Sequence, residues 1–239
     1  MGILESRSKK GIIMKMVTVA GPPSSGKTSV ILKVIENLQD MKIAVVKFDC
    51  LTSFDEERYK SKEIPVTVGY AGKLCPDHFF VTNIQDAFDW AKDKGTDLLI
   101  SESAGLCNRC SPHIKGIPAV CVIDDLAGIN TPKKLGPMLR FADYVVITKG
   151  DIVSQAEREI FAYSVRQINP NATILNINGI TGQGAFLLSK LISLSEEIDS
   201  LSGKRLRFTT PSSVCAFCTG EITIGMEYQF GMTKSMRFE

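Results

Sequence analysis

The order of apolar and amphipathic stretches predicts an α/β fold, a three-layer sandwich with helices on both faces of a mostly parallel sheet. Two observations carry this reading. Short continuous apolar runs alternate with helical patterns over residues 12–202; unbroken runs belong to strands buried on both faces, as parallel strands are. The first run, MVTVA (16–20), leads straight into GPPSSGKT (21–28) and then into a helical pattern, the strand–glycine loop–helix order that cradles a polyphosphate.

The elements follow in sequence. After the strand at 16–20, a helix runs from about Thr28 to Asp40. KIAVVKFD (42–49) and PVTVGY (65–70) are the next strands. A helix from near Ile84 ends at DWAKDKG, with Gly95 as its C-cap. DLLISES (97–103), AVCVIDD (119–125), YVVITKGD (144–151) and ATILNING (172–179) supply four further strands, and helices are expected over 132–141, 154–168 and 183–199. Residues 203–239 differ: GKRLRFTTPSS is basic and turn-rich, and CAFC follows. The sequence thus divides into a nucleotide-binding domain, 12–202, and a small Cys-containing C-terminal appendage, 203–239, too short to fold alone.

With 44% hydrophobic and 23% charged residues the chain has the composition of a globular protein with a real core. A net charge of +2 argues against nucleic acid as a partner, which needs a concentrated basic face. No apolar run approaches the roughly 18 residues of a membrane span, and MGILESRSKK lacks the apolar core of a signal peptide. Seven cysteines in such a context point to metal or redox chemistry rather than disulfides, and a cytoplasmic location is expected.

GPPSSGKT matches G-x-x-x-x-G-K-[ST], so the fold is expected to be that of a P-loop NTPase with Gly21, Pro22, Pro23, Ser24, Ser25, Gly26, Lys27 and Thr28 around the phosphates. Lys27 reaches the β- and γ-phosphates, and Thr28 holds Mg²⁺. ITKGD (147–151) closes a later strand: Asp151 can accept from the N1–H and N2–H₂ of guanine, the Lys149 stem can lie along the base, and Thr148 stands where the N-K-x-D motif of G proteins has Asn. NGITGQG (178–184) lies where a base-edge loop is expected. Glu102 and Asp49 each end an apolar run, where a carboxylate can orient Mg²⁺ or the attacking water. Gly105 can offer its N–H to a γ-phosphate and swing away when that phosphate leaves.

Taken together, GPPSSGKT, KFDCLTSFDEERYKS, YAGKLCPDH, ESAG, INTPKKLGP, ITKGD and TGQG, in that order over residues 14–200, resemble the metal-center maturation GTPases of the HypB and UreG type, in the SIMIBI class of P-loop proteins. The resemblance implies slow GTP hydrolysis, GTP or GDP with Mg²⁺ as cofactors, a nucleotide- and metal-dependent homodimer, and delivery of nickel to a client metalloenzyme or its accessory proteins.

Soft ligands complete the set. Cys75 and His78 in GKLCPDH are three residues apart and can share an ion. In the resembled families a Cys-Pro-His or Cys-His stands here as the interface metal ligands; Cys75 matches directly, and His78 matches with Asp77 inserted. Cys107, Cys110 and His113 follow Gly105, and thiolates at i and i+3 can grip Ni²⁺, Zn²⁺, Cu(I) or part of an iron–sulfur cluster. Cys110 is the nearer match to the relatives, and Cys107 is an addition. Cys215 and Cys218 form a third pair whose closed tetrahedral site needs another copy, another segment or a partner. Cys121, inside an apolar run, reads as core. The expected function is a GTP-binding and GTP-hydrolysing metallochaperone. A nucleotide-dependent iron–sulfur or thiol redox switch is the alternative, followed by a P-loop small-molecule kinase, which lacks its arginine-rich lid here.

Overall fold

The computed structural model describes residues 13–52, 54–104, 110–208 and 221–238. Among them an eight-stranded sheet forms from β1 (Met14–Ala20), β2 (Ile43–Asp49), β3 (Val66–Tyr70), β4 (Leu98–Ser103), β5 (Ala119–Asp124), β6 (Tyr144–Thr148), β7 (Thr173–Asn176) and β8 (Glu197–Ile198). The spatial order is β3-β2-β4-β1-β5-β6-β7, all parallel, with β8 antiparallel beside the start of β1. β4, β5 and the body of β1 and β2 are buried on both faces, which is why they read as unbroken apolar runs.

Alternation along β1 divides the core. Val17 and Val19 pack with Val30 and Val34 of α1 (Lys27–Ile35) and with Leu188 and Ile192 of α7 (Ala185–Ser193). Met14 and Met16 face the other way, onto Phe80, Ile84 and Phe88 of α3 (Pro76–Asp93). A third cluster joins Cys121 and Ile123 to Phe161 and Val165 of α6 (Gln155–Ile168). β1 lies at the centre, with β4 on one side and β5 on the other. Its carboxyl end is therefore the place where a doubly wound sheet leaves a crevice for a ligand.

Several elements depart from expectation. α2 (Asp55–Lys60) has no counterpart in the pattern, because a single turn and a half shows no period. α3 starts eight residues before Ile84, at Pro76, whose missing N–H suits the first helical turn. Helix 132–141 is split into α4 (Thr131–Lys134) and α5 (Pro137–Arg140): Gly136 takes φ 54°, and Pro137 cannot continue the ladder. α7 ends at Ser193, and Glu197–Ile198, expected as helix, pair with β1.

The described parts of the C-terminal stretch lie on this body. Leu201, Leu206, Ile222 and Ile224 share the α3 core, and Met236 and Phe238 pack against it. Arg205 pairs with Thr223, and Leu206 with Ile114. Asn83 of α3 donates to Lys234 O (2.8 Å) and accepts from Met236 N (2.6 Å). Arg207 uses all five of its N–H groups, on Ile114 O, Ile117 O, Phe141 O and both carboxylate oxygens of Asp143.

Candidate functional site

The loop Gly21–Gly26 joins β1 to α1. Two glycines are required by geometry: a Cβ on Gly21 would lie 2.0 Å from Val122 O, and Gly26, capping α1, sits at φ 90°. Thr148 braces the loop from β6, its hydroxyl donating to Ser25 O (2.7 Å) and Ile123 O (3.2 Å). Lys149 follows in the left-handed conformation (φ 60°) and donates to Ser24 O (2.8 Å). Thr148 thus acts on the phosphate loop itself, with its hydroxyl already engaged.

A cavity of about 440 Å³ opens over the loop, lined by Ser24, Gly26, Lys27, Thr28, Lys47, Asp49, Asp55, Arg58 and Glu102 among others. Lys27 folds back onto Gly21 O (3.0 Å) and Pro22 O (2.8 Å). Burial pulls its pKa below the ordinary lysine value, with Glu102 opposing; an arriving phosphate would restore that charge's partner. Glu102 is almost fully buried at the end of β4. Its Oε1 accepts from Thr28 Oγ1 (2.8 Å) and Lys47 Nζ (3.1 Å), and its Oε2 from the Tyr59 hydroxyl (2.7 Å). The Tyr59 hydroxyl, buried and facing that carboxylate, has its pKa raised well above the ordinary value and stays a donor. Lys47 also binds Asp55 and lies 3.9 Å from Asp49 Oδ2.

Thr28, Asp49 and Glu102 present hard oxygens to one cavity, a donor set that fits Mg²⁺ beside nucleotide phosphates. A second cavity of about 280 Å³ is lined by Ile147, Gly150, Asp151, Arg158, Asn176, Asn178, Gln183 and Gly184. It brings ITKGD and NGITGQG together, with Asp151 in its wall. Asn178 shapes the latter loop by accepting from Ile180 N (2.9 Å) and Thr181 N (3.0 Å).

The soft ligands are less gathered. Cys75 caps α3 and is buried, as is His78 one turn on. His78 Nε2 has no hydrogen-bond partner, and burial lowers its pKa, with Gln229 and Glu221 opposing. Cys110 is buried. His113 corrects an expectation: it is fully buried, Nε2 lies 3.0 Å from Met138 O and Nδ1 lies 3.1 Å from Thr18 Oγ1. A carbonyl only accepts, so Nε2 carries the proton and Nδ1 accepts; neither nitrogen is left for a metal. Cys121 is core, its thiol pushed up to about 12 by burial. Gly105, Cys107, Cys215 and Cys218 lie outside the described residues. Among the described residues no group of three or more His, Cys, Asp or Glu is placed to hold a metal ion.

Lys47, Asp55, Arg58 and Tyr59 are the site residues that motif reading misses. The lysine had a signal, a lone cation inside the apolar run IAVVKFD. Tyr59 and Arg58 lie in the KFDCLTSFDEERYKS stretch that carries the resemblance, but their roles depend on where α2 docks.

Sheet order, phosphate loop and the two cavities define a nucleotide-binding protein of the P-loop NTPase fold. Residues 15–176 match the model of the CobW/HypB/UreG nucleotide-binding domain, and the chain belongs to that family. An uncharacterized protein of Methanocaldococcus jannaschii is 48% identical over 223 residues, covering 92% of this chain and 95% of its own. The probable hydrogenase maturation factor HypB of the same organism is 29% identical over 69% of this chain and 75% of its own. The urease accessory protein UreG of Mycobacteroides abscessus is 27% identical over 66% and 75%. Among solved structures, HypB from Archaeoglobus fulgidus superimposes with a TM-score of 0.61 at 24% identity over 75% of this chain and 89% of that one. HypB from Helicobacter pylori, solved in complex with nickel, gives 0.61 at 22% over 75% and 86%. These two likenesses speak to the fold. No described helix is long and apolar enough to cross a membrane.

Proposed function

We infer that this protein is a GTP-binding, slowly GTP-hydrolysing metallochaperone that ties its nucleotide state to the binding and delivery of a soft metal, nickel first, during assembly of a metalloenzyme. One observation carries the reading. Asp49, in the phosphate cavity, and Cys50 after it accept backbone hydrogen bonds from Ala71 N (2.9 Å) and Gly72 N (2.7 Å), and the turn so held reaches Cys75 within three residues. A hard-metal carboxylate and a soft-metal thiol thus share one short backbone path. The names of the hydrogenase and urease relatives support the same reading.

Lys27 and the loop N–H groups hold the phosphates, and Asp151 and Lys149 select guanine. Thr28, Asp49 and Glu102 would hold Mg²⁺, which neutralises charge on the phosphates when bound. Glu102, gripped on both oxygens, keeps its own orientation fixed for that role. Gly105 reads the γ-phosphate.

Cys75 with His78 supplies too few ligands to close a site, and a second copy across a two-fold axis doubles them. The homodimer, in the cytoplasm, is the metal-loaded form, and the client enzyme or its accessory protein takes the ion. Cys107 and Cys110 form one C-x-x-C pair, and Cys215 and Cys218 another. Each pair offers two thiolates to a soft ion, and a closed tetrahedral site at Cys215 and Cys218 needs another copy, another segment or a partner.

Anaerobic titration with Ni²⁺ and Zn²⁺ of the wild type and Cys75→Ser, with GDP and with the β,γ-imido GTP analogue, tests the proposal. Tighter metal binding and dimerisation with the triphosphate analogue, lost in Cys75→Ser, are expected. Identical metal affinity and mass in both nucleotide states would refute it.

A further inference from the structure

Lys47 is a cation that the phosphate loop does not supply. It stands on β2, in register with Glu102 on β4, so the two side chains leave the same face of the sheet as neighbours. Its side chain is 5% exposed. Three carboxylates surround the ammonium: Glu102 Oε1 at 3.1 Å, Asp49 Oδ2 at 3.9 Å, and Asp55 in direct hydrogen bond. The ammonium lines the same cavity as Lys27 and Thr28.

Two features set this lysine apart from a structural ion pair. It shares Glu102 Oε1 with the Thr28 hydroxyl (2.8 Å), and in a P-loop site that hydroxyl would help hold Mg²⁺ beside the phosphates. Lys47 stands next to that hydroxyl on the β2 wall, whereas Lys27 comes from the start of α1. Its second carboxylate partner, Asp55, is the first residue of α2. That helix also carries Tyr59, the donor to Glu102 Oε2.

We propose that Lys47 is a second phosphate-binding cation of this site: its ammonium, held by Glu102 and Asp55, transfers to the γ-phosphate of a bound nucleoside triphosphate. The transfer breaks the contact of Lys47 with Asp55, whose pairing with Arg58 (3.6 Å) remains. A diphosphate has no group there, and with it Lys47 stays on Asp55. This rests on the guanine-nucleotide reading above and adds the residue by which the site tells triphosphate from diphosphate.

The test is equilibrium binding of fluorescent GDP and fluorescent β,γ-imido GTP, each with Mg²⁺, to the wild type, Lys47→Met and Asp55→Asn. Lys47→Met is expected to weaken the triphosphate analogue by about 10- to 100-fold, the size of one charge-assisted hydrogen bond, and GDP by no more than about threefold. Asp55→Asn loosens the resting contact and is expected to raise the preference for the analogue over GDP several-fold. Equal weakening of both nucleotides in Lys47→Met, or no weakening, overturns the proposal. If Lys47→Met does not fold, Asp55→Asn decides: an unchanged preference overturns it. A wild type that binds neither nucleotide overturns the nucleotide reading itself, a result distinct from either.

Discussion

His113 gives the structure a titratable core contact whose effect on stability can be worked out. Burial holds its pKa at about 4, below the ordinary imidazole value of 6.5, with Arg207 adding to the depression while the Met138 carbonyl and Asp143 oppose it. Between those values the unfolded chain binds a proton that the folded chain refuses, so stability rises with pH. The contribution is fully present above 6.5, falls as the solution is acidified, and is exhausted near the folded value. Integrated from pH 7 to pH 5, the loss from this one ring is about 2 kcal/mol. The perturbation is His113→Gln, which keeps an amide for Met138 O or Thr18 and does not titrate. Urea unfolding of both proteins at pH 7 and pH 5 is the assay. The wild type should lose about 2 kcal/mol more than the variant on acidification. Equal losses would refute the assignment of His113 as a neutral core residue.

Arg207→Met removes a fork that holds three carbonyls and Asp143, and a drop of about 2–4 kcal/mol in thermal or urea unfolding is expected, Asp143 being partly solvated. Arg207→Lys should recover little of it, because an ammonium cannot reproduce the planar geometry. Gly21→Ala places a methyl 2.0 Å from Val122 O and should abolish nucleotide binding in a titration, since β1 and β5 must separate at the loop. Asp151→Asn should weaken guanine nucleotides by about 10- to 100-fold and improve xanthine nucleotides, whose 2-oxo group accepts from the new amide; competition binding reads both.

Much of the fold was legible because parallel strands need continuous apolar runs and helices need turns of polar residues between them. The seven expected strands all appear, and Gly21 to Gly26 form the loop that leads into α1 at Lys27 and Thr28. Local chemistry was enough there: a glycine that must approach Val122 O and a lysine at the start of α1 are properties of neighbouring residues. What failed were α2, too short and too polar to show an apolar period, and the first turns of α3, too buried to show a polar face. The split at Gly136–Pro137 was in plain view, and the helical pattern on either side hid it.

The strand–loop–helix of the phosphate motif, then, was written into eight consecutive residues, because its turn depends on its own backbone. The company those residues keep was not. Lys47 meets Glu102 across a strand register, Tyr59 meets it from a helix 43 residues earlier, and His113 closes on Thr18 and Met138 rather than on a metal. Each of those contacts joins residues far apart in the chain, and a side chain's partner there depends on how strands stack and helices dock, which local spacing does not encode.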